Sequence, residues 1–183
     1  MRSVSSLDEL FALLASGGGE AYFGEPVTVL EHSLQAAWFV SRKGGASALV
    51  AAALLHDLGH LLHGEGEDAA TRGLDTQHEE LAAEVLAGHV PGAVLDPIRM
   101  HVAAKRYLCF ADPHYLAALS PASVQSLALQ GGPMSGVEAE AFLGMPHAHE
   151  SIALRRADDA AKVPGLAVPD LESYRPLVTS LWS

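Results

Sequence analysis

The chain is expected to fold as an all-α helical bundle in one domain, and three observations predict it. Apolar residues recur at helical spacing along most of its 183 residues, alternating strand patterns are absent, and helix-start signals precede most periodic segments. Ser6 and Glu9 form a capping box ahead of "LDELFALLAS", which Gly17–Gly19 stop. Thr28 and Glu31 repeat the signature before "VLEHSLQAAWFVSRK", closed by Gly44 and Gly45. A third helix begins near Ala46 and carries "ALVAAALLHDLGH" (48–60), whose first eight residues are apolar. Polar "HGEGEDAATRGLD" (63–75) reads as a loop, and Thr76 with Glu79 caps "QHEELAAEVLAG". A fifth helix follows Asp96-Pro97 to about Leu108. Asp112-Pro113 and Ser120-Pro121 each pair an N-cap with proline at the first helical position, and Gly131-Gly132-Pro133 breaks the pattern. Ser135 and Glu138 open a short helix, and "PHAHESIALRRADDAAK" is the last strong one before a weaker tail ending at Trp182. No repeat or linker splits residues 1–183, so they read as one domain.

Net charge of −11 opposes a non-specific nucleic-acid surface, because a polyanion repels it. No apolar run reaches the length of a membrane span, and "MRSVSSLDELF" puts acids where a signal peptide needs apolar residues. A single cysteine, Cys109, agrees with a reducing cytoplasmic compartment. No obligate protein partner is inferred. Ten histidines in a chain with three lysines prompt a search for metal.

Burying an imidazole or a carboxylate without a partner is costly, yet each main helix carries such a group on its apolar stripe. His32 lies with Val29, Ala36 and Phe39; His56 and His60 lie with Leu49, Ala52 and Ala53. His78 lies with Leu81, Ala82 and Val85, His101 with Ile98, Lys105 and Leu108, and Asp158 with Leu154, Ala157 and Ala161. Asp57 follows His56 directly, and helical neighbours diverge by about 100°, so the two reach one point only from the helix edge. On their own, His56 and Asp57 read equally as a buried hydrogen-bonded pair. Five helices, each bringing a ligand-type residue, favour ions at the centre. Four imidazoles and two carboxylates exceed the needs of one ion, so a dinuclear site with a bridging carboxylate suits them, and nitrogen and oxygen ligation points to iron or manganese. His63, His89, His114, His147 and His149 fall in or beside loops and read as solvated.

The order His32, His56-Asp57, Asp158 is the signature of the HD-domain superfamily. Taken with "YFGE", "LEHSLQ", "LLHDLGH", "GHVAAKRYL", "SPASVQSLALQGGPM" and "LRRADDAAKVP", the chain resembles the HD-domain mixed-valent diiron oxygenases that cleave organophosphonates. The resemblance spans roughly residues 22–165 and implies a helical bundle with a dinuclear core. It implies that His32, His56, Asp57, His78, His101 and Asp158 bind two iron ions, Fe(II) and Fe(III), with Asp57 bridging. It further implies that His60, Lys105, Ser123 and Arg155 hold the phosphonate, that Tyr22 takes an iron position while substrate is absent, and that Glu25 partners Tyr22 and faces the substrate's cationic nitrogen. Independently of it, Lys105 falls one turn after His101 and Arg155 one turn before Asp158, so both cations project beside the candidate ligands. An ordinary Arg155–Asp159 surface pair, a surface Ser123 and an exposed turn holding Tyr22 and Glu25 are the plain alternatives.

The expected reaction is O2-dependent cleavage of the C–P bond in a 1-hydroxy-2-(amino or trimethylammonio)ethylphosphonate. It yields phosphate with glycine or glycine betaine. A trimethylated nitrogen would want aromatic walls, for which Tyr22, Phe23, Trp38, Phe39, Tyr107 and Phe110 are candidates. The rival is an HD-domain phosphohydrolase acting on a phosphate ester without oxygen. A sensory HD protein lacking ligands and a diiron oxygenase acting on a cyclic polyol fit less well, given the six ligands and the two cations.

Overall fold

A computed structural model describes residues 4–22, 24–62 and 72–183. The most apolar segment sits at the centre: α3 (Ser47–Leu55) buries every residue from Leu49 to Leu55. Around it pack α2 (Val29–Arg42), α5 (Gly92–Ala111) and α9 (Ala148–Ala160); α4 (His78–Leu86) packs on α5, and α1 (Leu7–Gly17) and the C-terminal α10 (Arg175–Thr179) close the same core. The short helices α6 (Pro113–Ala118), α7 (Pro121–Leu129) and α8 (Gly136–Leu143) lie between α5 and α9 in sequence. Met100, Ala104, Met134 and Phe142 form a smaller apolar cluster there.

Several start signals act as the sequence indicates. Thr28 Oγ1 accepts from the Glu31 amide at 3.2 Å while the Thr28 amide donates to Glu31 at 2.7 Å. Ser135 and Glu138 repeat the exchange. Asp112 and Ser120 cap α6 and α7 ahead of their prolines. Others differ. Ser6 caps α1, but the Glu9 carboxylate bonds the amide and hydroxyl of Ser5 instead, both at 2.8 Å. Thr76 does not cap α4; Gln77 does, in a left-handed conformation with φ 47° and no side-chain bond, and Glu79 is free to turn inward. α5 begins at Gly92, so Pro97 lies inside it as a buried residue. A two-stranded antiparallel hairpin, β1 (Ala21–Tyr22) and β2 (Glu25–Thr28), stands where only a loop was expected. Its turn passes through Gly24 at φ +75°, a conformation that glycine adopts without strain.

Replacing Leu54, which is 0% exposed, with alanine is expected to cost ~2–5 kcal/mol. Val137→Ala, at a residue 80% exposed, should stay within about 0.5 kcal/mol. Urea unfolding of both variants checks this; equal losses contradict the placement of α3 at the centre.

Candidate metal centre

The third helix was expected to run through His60, and it does not. It ends at Leu55: His56 is its C-cap, Asp57 leaves helical geometry at φ −99° and ψ 11°, and Leu58–Leu61 continue as a 3₁₀ turn. This break removes the divergence between helical neighbours and lets both side chains face one point. Gly59 permits it. A Cβ there would lie 2.0 Å from the backbone oxygen of His78, so the turn and the start of α4 approach closely because position 59 has no side chain.

His32, His56, Asp57, His78, His101 and Asp158 all come together, each no more than 8% exposed. The imidazoles form two pairs: His32 Nε2 and His56 Nε2 are 3.2 Å apart, and His78 Nε2 and His101 Nε2 are 3.0 Å apart. Asp57 lies between the pairs. Its Oδ2 is 3.4 Å from both nitrogens of the first, and its Oδ1 is 3.5 Å from His78 and 3.8 Å from His101. Asp158 adds Oδ1 at 3.4 Å from His32 and Oδ2 at 3.9 Å from His56. Each half of the cluster is compact enough to hold one ion, with Asp57 shared.

The hydrogen bonds behind the rings test whether a cation fits. Nδ1 of His32 meets Ala161 O at 2.8 Å, that of His56 meets Ala53 O at 2.9 Å, and that of His101 meets Ile98 O at 2.6 Å. A carbonyl only accepts, so each of these Nδ1 atoms carries its ring's proton. The neutral forms of the two rings that ligate metal would direct two nitrogen lone pairs at each other across 3.2 Å, His32 Nε2 against His56 Nε2. A cation between them removes that repulsion and satisfies the carboxylates as well. Burial lowers His32, drives His78 well below the usual histidine range and takes His101 down to about 3, favouring the neutral form that ligates metal. Burial works to raise Asp57, yet the surrounding imidazoles hold it well below the ordinary value; for Asp158, Arg155 does the same.

The second set of expected residues surrounds a cavity of about 140 Å³ that reaches this centre. Tyr22 Oη donates to Asp57 Oδ2 at 2.7 Å, and its ring stacks on His32 at 3.9 Å. His60 Nε2 lies 3.8 Å from Asp57 Oδ1, with its ring stacked on His78. Lys105 is 2% exposed and donates to Ser126 at 2.8 Å; burial, then Arg155, brings it down to about 7. Arg155 is no surface pair: it is buried, bonds Asp158 at 2.8 Å, and also engages Asp159 and Tyr115. Ser123 is buried in the cavity wall. Glu25 receives Lys162 Nζ at 3.0 Å, and the same ammonium lies 3.4 Å from Ser120 and Ser123.

Lys162 was not singled out in the sequence, although the signal was present. It falls one turn after Asp158, the placement that drew attention to Lys105. Ser126 and Tyr115 carried no signal beyond their helices, and Asp159 was read only as a surface partner for Arg155. Among the expected aromatic walls that are described, only Tyr22 lines the cavity; Trp38 packs edge-on to Phe39 and Tyr107 against Phe142, while Phe23 lies outside the described residues. Of the remaining histidines, His114 and His149 are exposed, His147 meets Asp96 at 2.8 Å and His89 stacks on Trp182. His63 lies outside the described residues. No helix among the described residues is long and apolar enough to cross a membrane.

A helical core with imidazole and carboxylate donors meeting at its centre defines a metalloprotein, and the comparisons specify which kind. The family model for the HD domain matches residues 29–159, and the chain belongs to that family. It is 43% identical over 161 residues, 88% of the chain and 82% of the relative, to 1-hydroxy-2-(trimethylamino)ethylphosphonate dioxygenase (glycine-betaine-forming) of Leisingera caerulea. It is 44% identical over 178 residues, 97% of the chain and 87% of the relative, to hydroxymethylphosphonate dioxygenase of Gimesia maris. An uncharacterised protein of Acanthamoeba polyphaga mimivirus is 32% identical over 177 residues, covering 96% of the chain and 81% of that protein.

Asp57→Ala removes the one carboxylate among the described residues that faces both imidazole pairs and is expected to strip metal from both halves. Asp158→Ala should leave the His78–His101 half loaded. Metal analysis of the purified variants checks this, and equal retention by the two contradicts the shared role of Asp57.

Proposed function

We propose that the chain is an O2-dependent non-haem diiron oxygenase that cleaves the C–P bond of a 1-hydroxy-2-(amino or trimethylammonio)ethylphosphonate. It releases phosphate and glycine or glycine betaine. The observation that carries this reading is the pair of buried cations, Lys105 and Arg155, lining the same cavity as the clustered imidazoles and carboxylates. Arg155 is offset by Asp158 and Asp159, but Lys105 meets only the Ser126 hydroxyl among the described residues, so buried positive charge beside a metal centre calls for an anionic ligand, and a phosphonate dianion supplies it. The names of the two phosphonate dioxygenases above point the same way.

The ligand assignment is His32, His56, Asp57 and Asp158 for one ion and Asp57, His78 and His101 for the other. Nitrogen and oxygen donors without a thiolate suit iron or manganese, and the family resemblance points to iron. When bound, the Fe(II)/Fe(III) pair supplies O2 activation and Lewis-acid polarisation of the substrate's hydroxyl and phosphonate oxygens. The protein's own part is binding and exclusion. Arg155 offers a planar fork and Lys105 a point charge to the phosphonate oxygens, with His60 and Ser123 completing the grip. Tyr22 closes the centre while substrate is absent, its hydroxyl proton held by Asp57. The atoms balance with one O2 per turnover: the carbon keeps its hydroxyl oxygen and gains one more as carboxylate, and phosphorus gains one as phosphate.

The Lys162–Glu25 pair favours a second reading of the substrate. Glu25 already has a cation within the protein, and of the described aromatic candidates only Tyr22 faces the cavity. Both fit hydroxymethylphosphonate, which brings no positive charge and needs no aromatic cage.

Oxygen uptake and phosphate release, measured with iron-loaded enzyme on each hydroxyphosphonate, test the proposal. Equimolar oxygen consumption and phosphate are expected; phosphate released anaerobically from a phosphate ester identifies a hydrolase instead. In the same assay Lys162→Gln should shift kcat/KM toward the cationic substrates by about tenfold; an unchanged ratio removes Lys162 from substrate choice.

A further inference from the structure

Three of the four central imidazoles anchor Nδ1 on a backbone carbonyl, at 2.6 to 2.9 Å. His78 does not. Its Nδ1 faces Glu79 Oε2 at 3.4 Å, a few tenths of an ångström beyond the ordinary hydrogen-bond distance. Both side chains are largely buried, and Glu79 Oε2 has no hydrogen-bond partner among the described residues. A buried carboxylate oxygen with nothing to accept from is unfavourable, and native proteins rarely leave one without a purpose. The sequence offers Glu79 an exposed task, as the third residue of a capping box, and the chain declines it: Gln77 adopts a left-handed conformation, and Glu79 turns toward the ring beside it.

We propose that Glu79 is the positioning residue of His78: its carboxylate accepts the Nδ1 proton, fixing the tautomer that leaves Nε2 a donor and strengthening that donor. The proposal rests on the reading of His78 as a metal ligand. A carboxylate behind an imidazole raises its basicity more than a neutral carbonyl does. The consequence is an asymmetry between the two halves of the centre. The His32–His56 half receives its additional negative charge directly from Asp158, which Arg155 offsets at 2.8 Å. The His78–His101 half receives its own indirectly, through Glu79. Loss of Glu79 therefore affects one ion and spares the other, which a general loss of stability does not do.

The test is calorimetric titration of the full-length apo-protein with Zn(II), comparing wild type with Glu79→Gln and Glu79→Asp. Two binding steps are expected in wild type. In Glu79→Gln one should weaken by about ten- to a hundredfold with the other unchanged, and Glu79→Asp should recover part of the loss. Two unchanged steps, or two weakened equally, overturn the proposal. Should neither variant fold, the Nδ1 protons of the zinc-loaded wild-type protein decide by NMR. The His78 proton is expected farthest downfield of the four ligands, and a His78 proton resonating among the other three overturns the assignment. Zinc binding is read without turnover, so a protein that loads two ions normally yet releases no phosphate from any phosphonate rejects the proposed function while leaving this result standing.

Discussion

The structure depends on an arrangement that is unfavourable by itself: opposed imidazole nitrogens held 3.0 to 3.2 Å apart around one carboxylate, on residues buried in the core. The carbonyls of Ala161, Ala53 and Ile98 accept from Nδ1 of His32, His56 and His101, so in the neutral form of these three rings the inward nitrogen has a lone pair and nothing to donate. Burying such groups without partners costs roughly 2–7 kcal/mol each. Central positions of five helices are given to these residues in place of apolar ones. That expenditure makes sense when a divalent or trivalent ion supplies the missing charge. The alanine-rich α3 follows from the same need, since Ala51, Ala52 and Ala53 let neighbouring helices approach closely enough for their ligands to meet.

Charge is distributed to match. The chain is strongly acidic as a whole, at −11, yet two of its three lysines, Lys105 and Lys162, line the cavity; Lys43 alone is exposed. Arg155 is committed on several sides, to Asp158, Asp159 and Tyr115, which fixes its guanidinium at the boundary between the candidate ligands and the cavity. An anion drawn into this space meets positive charge that is buried, where Coulombic attraction is stronger than at the surface. The hairpin carrying Tyr22 and Glu25 closes the opposite side through bonds to Asp57 and Lys162, so both contacts across the cavity are polar and exchangeable by a ligand of the same charge.

Much of this was legible in the sequence, for identifiable reasons. Helical period placed His32, His78, His101 and Asp158 on buried stripes, because a residue every three or four positions faces the same neighbour whatever the tertiary detail. Short-range capping was readable where the chain had no competing use for the residues, as at Thr28–Glu31 and Ser135–Glu138. It misled at Glu79, where tertiary surroundings outweighed the local signal. The end of α3 at Leu55 was hidden, because "LLHDLGH" keeps helical spacing and the break is set by close packing of Gly59 on His78. The hairpin escaped notice because two-residue and four-residue strands are too short to show alternation. The start of α5 was misplaced because Pro97 resembles a first helical residue, whereas the helix begins five residues earlier, after Pro91, and takes Pro97 into its second turn.

Diffraction at the iron absorption edge, from crystals grown without oxygen in the presence of iron, addresses the central claim most directly. Two anomalous peaks about 3.5–4 Å apart are expected, one among His32, His56 and Asp158 and the other between His78 and His101, with an oxygen of Asp57 on each. A single peak, or none within reach of Asp57, would contradict the account.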